Sequence, residues 1–424
     1  MSNPEEPRTL LSGAFRQAVA AAQPARVLVG ALPPEPAGRL IVIGAGKAAA
    51  AMARALEEHY GPERLEGLVV TRYAHALATR KIRVLEAGHP LPDEAGRRAT
   101  AAILGLLHDL DDDDLVLCLL SGGGSALLTA PRGVTLEEKI DLTRQLLRSG
   151  ASIQEMNVVR KHLSEVKGGW LAATAAPARL LTLIISDVVG DDQSSIASGP
   201  TVPDPSTFAE ALAVLERYRI TSPAARHYLM EGVKGRVPET PKPGQSLFRR
   251  AKTHLAASNQ TSLEAAASYL REQGVTSHIL SSFVTGEASL VAAVHAALIR
   301  QVLEYGQPFE PPCALLSGGE TTVTVRGGGR GGRNSEFALA LALELPSLER
   351  VHAVVADSDG VDGSEDNAGV FVSPRLFRQV SRREAERRLA GNDSYTLFQQ
   401  ADHLLVTGPT HTNVNDIRIF LITT

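Results

Sequence analysis

Several short stretches of this sequence hold residue types that can do chemistry, and each follows an apolar run. In RLIVIGAGKAAAAMARALEEHYG the run Leu40 to Ile43 meets Gly44-Ala-Gly46-Lys47 and then an alanine-rich segment of helical character. N–H groups at a helix start favour an anion, glycines let it approach, and Lys47 adds a full charge. The plain alternative is a tight strand-to-helix turn with a solvated lysine. In CLLSGGGSALLTAP, Ser121, Gly122, Gly123, Gly124 and Ser125 break another apolar run. Successive N–H groups there can form an anion nest, and the two hydroxyls add donors. The spacing is not that of a P-loop.

In IISDVVGDDQSSIASGPTVPDPST, Asp187 stands just beyond the run Leu183 to Ile185. A carboxylate there can hold Mg²⁺ or accept a hydroxyl proton. Asp191 and Asp192 read as a solvated turn, and Ser198-Gly-Pro-Thr201 as a rigid loop closing the site. A second glycine turn, CALLSGGETTVTV, ends at Glu320, and a glycine and arginine loop precedes Arg333 and Asn334. The planar guanidinium of an arginine suits phosphoryl oxygens. ADSDGVDG places Asp357, Asp359 and Asp362 after an apolar run, out of register for a calcium loop. These acids are either magnesium-nucleotide contacts, with Asp359 the candidate ligand beside Asp187, or a surface turn. His89, in AGHPLPDEAG, is either structural or a substrate contact. Arg160, Lys161 and Lys167 fall in RKHLSEVKGG, where one helix is predicted and Lys161 is expected on a solvated face. Lys167, like Lys47, stands out beside glycine.

These residues need elements to position them. Leu40 to Ile43, Leu65 to Tyr73, Ile82 to Gly88, LVLCLL and Leu180 to Gly190 read as short buried strands. Helices are predicted near Ala95 to Leu107, over Leu136 to Gly150 and through MNVVRKHLSEVKGGWLA. Buried strands alternating with helices predict a mostly parallel α/β sheet. The first 30 residues read as a helix. Proline and glycine concentrate in GVKGRVPETPKPGQS, residues 233–247, which sets an expected boundary between domains 1–240 and 241–424. Beyond it the α/β pattern restarts.

At 424 residues the chain exceeds one ordinary core. A 44% hydrophobic, 21% charged composition is globular, and a net charge of −4 argues against a nucleic-acid partner. Cys118 and Cys313 both lie in apolar runs and read as buried thiols in a reducing compartment. MSNPEEPRTLL shows no signal-peptide pattern, and no apolar run reaches about 18 residues, so a cytoplasmic protein without a membrane span is expected. Gly44, Gly46 and Ala49 also fit the loose dinucleotide fingerprint G-x-G-x-x-A. The next strand ends in Thr71 and Arg72 where the fingerprint wants an acid, so the cofactor on this reading is NADP.

Taken together, VIGAGKAA, AGHPLPDEAG, LLSGGGSALL, NVVRKHLSEVKGG, ISDVVGDDQSSIASGPTVPDPST, LLSGGETTVTVRG, GGRNSEFALA, DSDGVDG and VTGPTHTNVND resemble the class II glycerate 2-kinases, over about Ile41 to Ile417. That resemblance implies two Rossmann-like three-layer α/β domains with mostly parallel or mixed sheets, an N-terminal MOFRL-associated domain and a C-terminal MOFRL region, and an active site in the cleft between them. It implies ATP-dependent phosphorylation of D-glycerate at the 2-hydroxyl with Mg²⁺, and a homodimer. The family's active-site lysine, acid and arginine fall on Lys47, Asp187 and Arg333, with Lys47 and Arg333 flanking the γ-phosphoryl from opposite domains. Ser121 to Ser125, Glu320 and Asn334 would contact the nucleotide or, for the serine–glycine nest, the glycerate carboxylate; His89 and Ser198 would contact substrate. Ser358, Ser364-Glu365 and His411 depart from the family pattern, which usually has glycine at the last. The rival readings are an NADP-dependent hydroxypyruvate reductase and a non-enzymatic sugar-phosphate sensor.

Overall fold

The computed structural model describes residues 6–424, which divide into two compact units, residues 24–256 and residues 257–424 together with 6–23. This corrects the expected boundary at 240/241 at both ends. The helix Glu6–Ala21 belongs to the second unit, because its Leu11, Ala14, Phe15 and Ala18 pack against Leu263, Ala266 and Leu270 of the helix Asn259–Glu272. The proline-rich stretch 233–247 is a loop inside the first unit, since the chain after it still contributes a strand there.

The first unit contains β1 (Leu40–Ala45), β2 (Glu66–Arg72), β3 (Arg83–Ala87), β4 (Leu115–Leu120), β5 (Arg179–Ile185) and β6 (Ala251–Ala257). Their order is β3-β2-β1-β4-β5-β6, and β1 to β5 run parallel. This is the Rossmann order, with its switch point between β1 and β4, where ligands collect at strand carboxyl ends. Both strands are buried throughout because helices cover both faces. Ile41, Ile43, Val116 and Cys118 join Ala99 and Ile103 of the helix Glu94–Leu106. The intervening Val42, Leu117 and Leu119 point the other way, where the helix Ala49–Tyr60 lies.

Between β4 and β5 the chain makes an all-helical excursion. The helices Leu136–Arg148 and Ile153–His162 each begin with a capping box, Thr135 with Glu138 and Ser152 with Glu155. Leu142, Leu146, Met156 and Val159 close a small core with Phe208 and Val214. The second predicted helix stops at His162 and restarts only at Trp170, so Lys167 lies in a turn. Gly168 and Gly169, at φ 57° and 87°, supply the left-handed backbone that breaks it.

The second unit contains β7 (Thr276–Glu287), β8 (Cys313–Thr322), β9 (Val351–Asp357), β10 (Gly369–Val372), β11 (Leu404–Leu405) and β12 (Asp416–Ile422), ordered β11-β10-β9-β12-β8-β7. Only β7 and β8, joined through the helix Ala288–Tyr305, are parallel; the other pairs are antiparallel. The restarted parallel pattern therefore holds for one crossover only. After β9 a glycine-rich loop without a helix turns back into β10, and β12 inserts between β8 and β9 in the opposite sense. The strands still read as continuous apolar runs because both faces are covered. On β12, Phe420 and Ile422 face one core, and Ile417, Ile419 and Leu421 the other. Cys118 and Cys313 are buried free thiols. Among the described residues no helix is long and apolar enough to cross a membrane.

Candidate active site

Gly44 to Lys47 and Ser121 to Ser125 leave β1 and β4 side by side at the switch point. Their glycines serve first to pack one loop on the other. A Cβ at Gly44 would lie 2.2 Å from the Leu119 carbonyl oxygen, and one at Gly46 2.1 Å from Ser121 Oγ. Gly46 also holds φ 143°. The Lys47 N–H donates to the Gly122 carbonyl at 2.8 Å and the Ala48 N–H to Ser121 Oγ at 3.0 Å. Both N–H groups precede the helix Ala49–Tyr60, so these bonds tie the turn ahead of it to the neighbouring loop, and Ser121 is a buried lock between turns. The half-buried Lys47 side chain stays at this edge.

Asp187 is half-buried two residues past β5, next to β4, and so reaches the same sheet edge. Asp191 is half-buried and its carboxyl is raised, chiefly by burial. Burial also raises Asp192, but bonds from Ser195 and Ser194 outweigh it and hold the carboxyl low. Ala197, Ser198 and Gly199 form a left-handed run at φ 50°, 62° and 59°. Two non-glycine residues there store strain of the kind found at functional sites. Ser198 is buried; its Oγ lies 2.9 Å from Ser125 Oγ and donates to Asn157 Oδ1 at 3.1 Å.

Beside Ser125 opens a cavity of about 140 Å³, lined by His89, Gly123, Ser125, Lys139, Arg160 and Lys167. Gly123, at φ 81°, leaves room for the His89 ring, which a Cβ would approach to 2.9 Å. Lys167 is 1% exposed, and its Nζ donates to the Ser125 and Leu128 carbonyls at 2.9 and 2.7 Å. Lys139 is 5% exposed, and its Nζ donates to the Leu163 carbonyl at 2.8 Å. Arg160 makes one long bond, 3.4 Å, to Asn157 Oδ1. Among the described residues none of the three is paired with a carboxylate. Burial, then Arg160, pushes Lys139 down to about 7; burial, then Lys139 and Arg160, holds Lys167 well below the usual lysine range. Lys161, expected in solvent, is instead buried and paired with Asp204 at 3.3 Å.

The second unit gathers its charges at one sheet edge, where β8 and β9 end and antiparallel β12 begins. Arg333 opens the helix Arg333–Glu344. Its Nε donates to Asp416 Oδ1 at 2.7 Å, Nη1 to Glu320 Oε1 at 2.8 Å and Nη2 to Asp357 Oδ2 at 2.8 Å. Burial opposes its charge, but the three carboxylates outweigh burial and keep it protonated. Asp416 is wholly buried and also accepts from Asn334 Nδ2 at 2.8 Å and Arg418 Nη2 at 2.5 Å. Asn334 is likewise buried, its Nδ2 committed to Asp416 and its Oδ1 without a partner among the described residues. Asp362 accepts the Asn334 and Ser335 N–H groups at 2.9 and 2.8 Å, capping the helix. Asp359 is buried, and its Oδ1 accepts the Val361 N–H at 2.9 Å. Among the described residues no group of three or more His, Cys, Asp or Glu is arranged to hold a metal ion.

Sequence reasoning missed Lys139, Arg418 and the central position of Asp416. Lys139 carried a signal: it lies on the buried stripe of its helix with Leu142, Thr143 and Leu146. Arg418 stands alone in the apolar run DIRIFLI. His411 adopts φ 59°, the left-handed form that glycine favours.

Comparison with known proteins bears on what these edges serve. Residues 10–230 match the family described as a domain of unknown function, DUF4147, and residues 313–416 match the MOFRL family. A D-glycerate 2-kinase of Thermotoga maritima is 40% identical over 427 residues, covering 100% of both chains. A putative hydroxypyruvate reductase of Agrobacterium vitis is 46% identical over 421 residues, covering 98% of this chain and 94% of that one. The crystal structure of a glycerate kinase from Thermotoga maritima superposes with a TM-score of 0.88 at 40% identity, covering 99% of this chain and 100% of that one. A Rossmann-ordered sheet in one unit and a MOFRL region in the other define a two-part α/β protein of the MOFRL class. The chain belongs to the class II glycerate kinase family.

Proposed function

We propose that this protein transfers the γ-phosphoryl group of ATP to the 2-hydroxyl of D-glycerate, giving 2-phospho-D-glycerate and ADP. The observation that carries the reading is the switch point: a lysine-bearing turn, a serine–glycine turn and Asp187 share the carboxyl edge of β1, β4 and β5. The full-length likeness to a D-glycerate 2-kinase supports the choice of reaction. The 2-hydroxyl oxygen attacks the γ-phosphorus, the bond to the β–γ bridging oxygen breaks to release ADP, and the hydroxyl proton passes to Asp187 and on to solvent. Such transfer needs positioning and charge neutralisation rather than covalent participation by the protein. Lys47 and Arg333 neutralise the transferring group. Three of the five N–H donors of Arg333 hold its carboxylates, which leaves two for phosphoryl oxygens. Asp187 orients the 2-hydroxyl and is the first candidate for Mg²⁺, with Asp359 the second. Mg²⁺ usually takes one or two carboxylates plus nucleotide phosphates, a requirement that sparse carboxylates satisfy. When bound it would screen charge on the phosphate oxygens.

The reductase name carried by two relatives from Agrobacterium vitis leaves Arg333 and the carboxylates around it without a task. The test is ADP release with D-glycerate, coupled to identification of the phosphorylated carbon. Formation of 3-phosphoglycerate overturns the regiochemistry, and NADPH oxidation by hydroxypyruvate without ATP use overturns the reading. Lys47→Ala and Arg333→Ala are each expected to lower kcat by about 10²–10³-fold with folding kept. A near-normal kcat in either removes the role given to that residue.

A further inference from the structure

The cavity beside Ser125 holds three cationic side chains on three successive segments of the helical excursion. Lys139 comes from the first turn of one helix, Arg160 from the last turn of the next, and Lys167 from the turn after it. Two of them are buried, and among the described residues no carboxylate balances any of the three. Taking cations out of water without a partner is costly. Burial moves the two lysines toward their neutral forms, and an anion in the cavity would favour the charged ones. The hydroxyl of Ser125 lines the same wall, and Gly123 brings His89 against it.

Size selects the anion. A cavity of about 140 Å³ is well below the ~300–1,000 Å³ of sites for larger ligands, and near the ~150 Å³ that admits a benzene-sized molecule. A three-carbon hydroxy acid is of that size, whereas a nucleoside is too large. We propose that this cavity is the carboxylate subsite for the acceptor, with Arg160 as the principal partner of the carboxylate and Lys139 and Lys167 completing its counter-charge. The inference rests on the glycerate reading above. It assigns the acid end of the acceptor to the Ser125 side of the switch point and leaves Lys47 and Asp187 for the reacting end. Arg160 suits the task because its guanidinium makes one long protein bond and keeps its planar fork for a carboxylate.

The experiment compares wild type, Arg160→Met and Arg160→Lys in the ADP-release assay, with D-glycerate and ATP each varied. Arg160→Met is expected to raise the KM for D-glycerate by about 10- to 100-fold, the loss of a charged hydrogen-bonding partner. KM for ATP should stay within about threefold, and Arg160→Lys should recover part of the loss. With glycerol, which lacks the carboxylate, wild type and Arg160→Met should differ little, so acceptor discrimination falls in the variant. A raised KM for ATP with that for D-glycerate unchanged means the cavity holds nucleotide phosphate and overturns the proposal. Unchanged constants for both overturn it as well. Calorimetric titration of D-glycerate and of inorganic phosphate into wild type and Arg160→Lys separates this inference from the reaction itself. Binding of D-glycerate weakened in Arg160→Lys supports the subsite even where no ADP forms. If wild type binds phosphate but not D-glycerate, the subsite is wrong. If Arg160→Met does not fold, Lys139→Met enters the same series with the same expected split between KM for D-glycerate and KM for ATP.

Discussion

Replacing Lys139 with methionine should make the ligand-free protein more stable at pH 6 and less stable above pH 10.5. Burial, then Arg160, pushes Lys139 from its ordinary 10.5 down to about 7. Each pKa unit corresponds to ~1.36 kcal/mol, so holding the charged form in the fold costs roughly 5 kcal/mol. The lysine is depressed in the folded state, so the unfolded chain binds the extra proton between pH 7 and 10.5, and stability rises with pH across that window. The cost is complete below about pH 7 and gone above 10.5. Methionine removes it but takes one of two donors from the Leu163 carbonyl, which accepts from Lys139 Nζ at 2.8 Å and keeps the Arg132 N–H at 3.3 Å. Losing one such bond costs about 0.5–1.5 kcal/mol. The net is a gain of about 3.5–4.5 kcal/mol at pH 6 and a loss of about 0.5–1.5 kcal/mol at high pH, reversing between roughly pH 9 and 10. Urea unfolding of both proteins at several pH values, in chloride buffers free of phosphate and carboxylates, measures it. A difference that does not vary with pH, or a variant already weaker at pH 6, would show that Lys139 has a compensating charge. Either result refutes the reasoning.

Two further predictions concern stability at the strand ends. Asp416→Asn should cost about 3–5 kcal/mol in urea unfolding, because it removes the wholly buried acid facing Arg333 and Arg418; a loss under 1 kcal/mol would show that the two arginines re-pair without it. Gly46→Ala places a Cβ 2.1 Å from Ser121 Oγ at φ 143°, and should lower both Tm and ADP release by separating the Gly44–Lys47 and Ser121–Ser125 turns; an unchanged Tm would show that the turns are not locked together.

Much of the first unit was legible because its strands are short, doubly buried apolar runs with glycine punctuation. LIVIGAG and LVLCLLSGGG read as a strand and its turn, and both lie at the switch point. The second unit was less legible, since burial on both faces erases the alternation that would distinguish an antiparallel strand from a parallel one. DIRIFLI reads the same whichever way it runs; its antiparallel insertion between β8 and β9 depends on register with distant chain. The N-terminal helix was legible as a helix but not its destination, because apolar positions such as Leu11 and Phe15 specify a buried face without specifying a partner.

The same distinction explains the site. Glycines, and charges beside them, are local signals, and they marked Lys47, Ser121 to Ser125, Glu320 and Arg333. What those residues bond to is non-local: Ser121 faces Ala48, and Arg333 is held by carboxylates from three strand ends. Lys161 and Lys139 show how charge on a helix misleads. Both are buried, but Lys161 meets Asp204 whereas Lys139 meets a carbonyl and two other cations. Burial with a partner marks structure, and burial among like charges marks a place that awaits an ion. The second case needs three chain segments to be seen together, so a lysine on an apolar stripe is the one trace of it that a sequence carries.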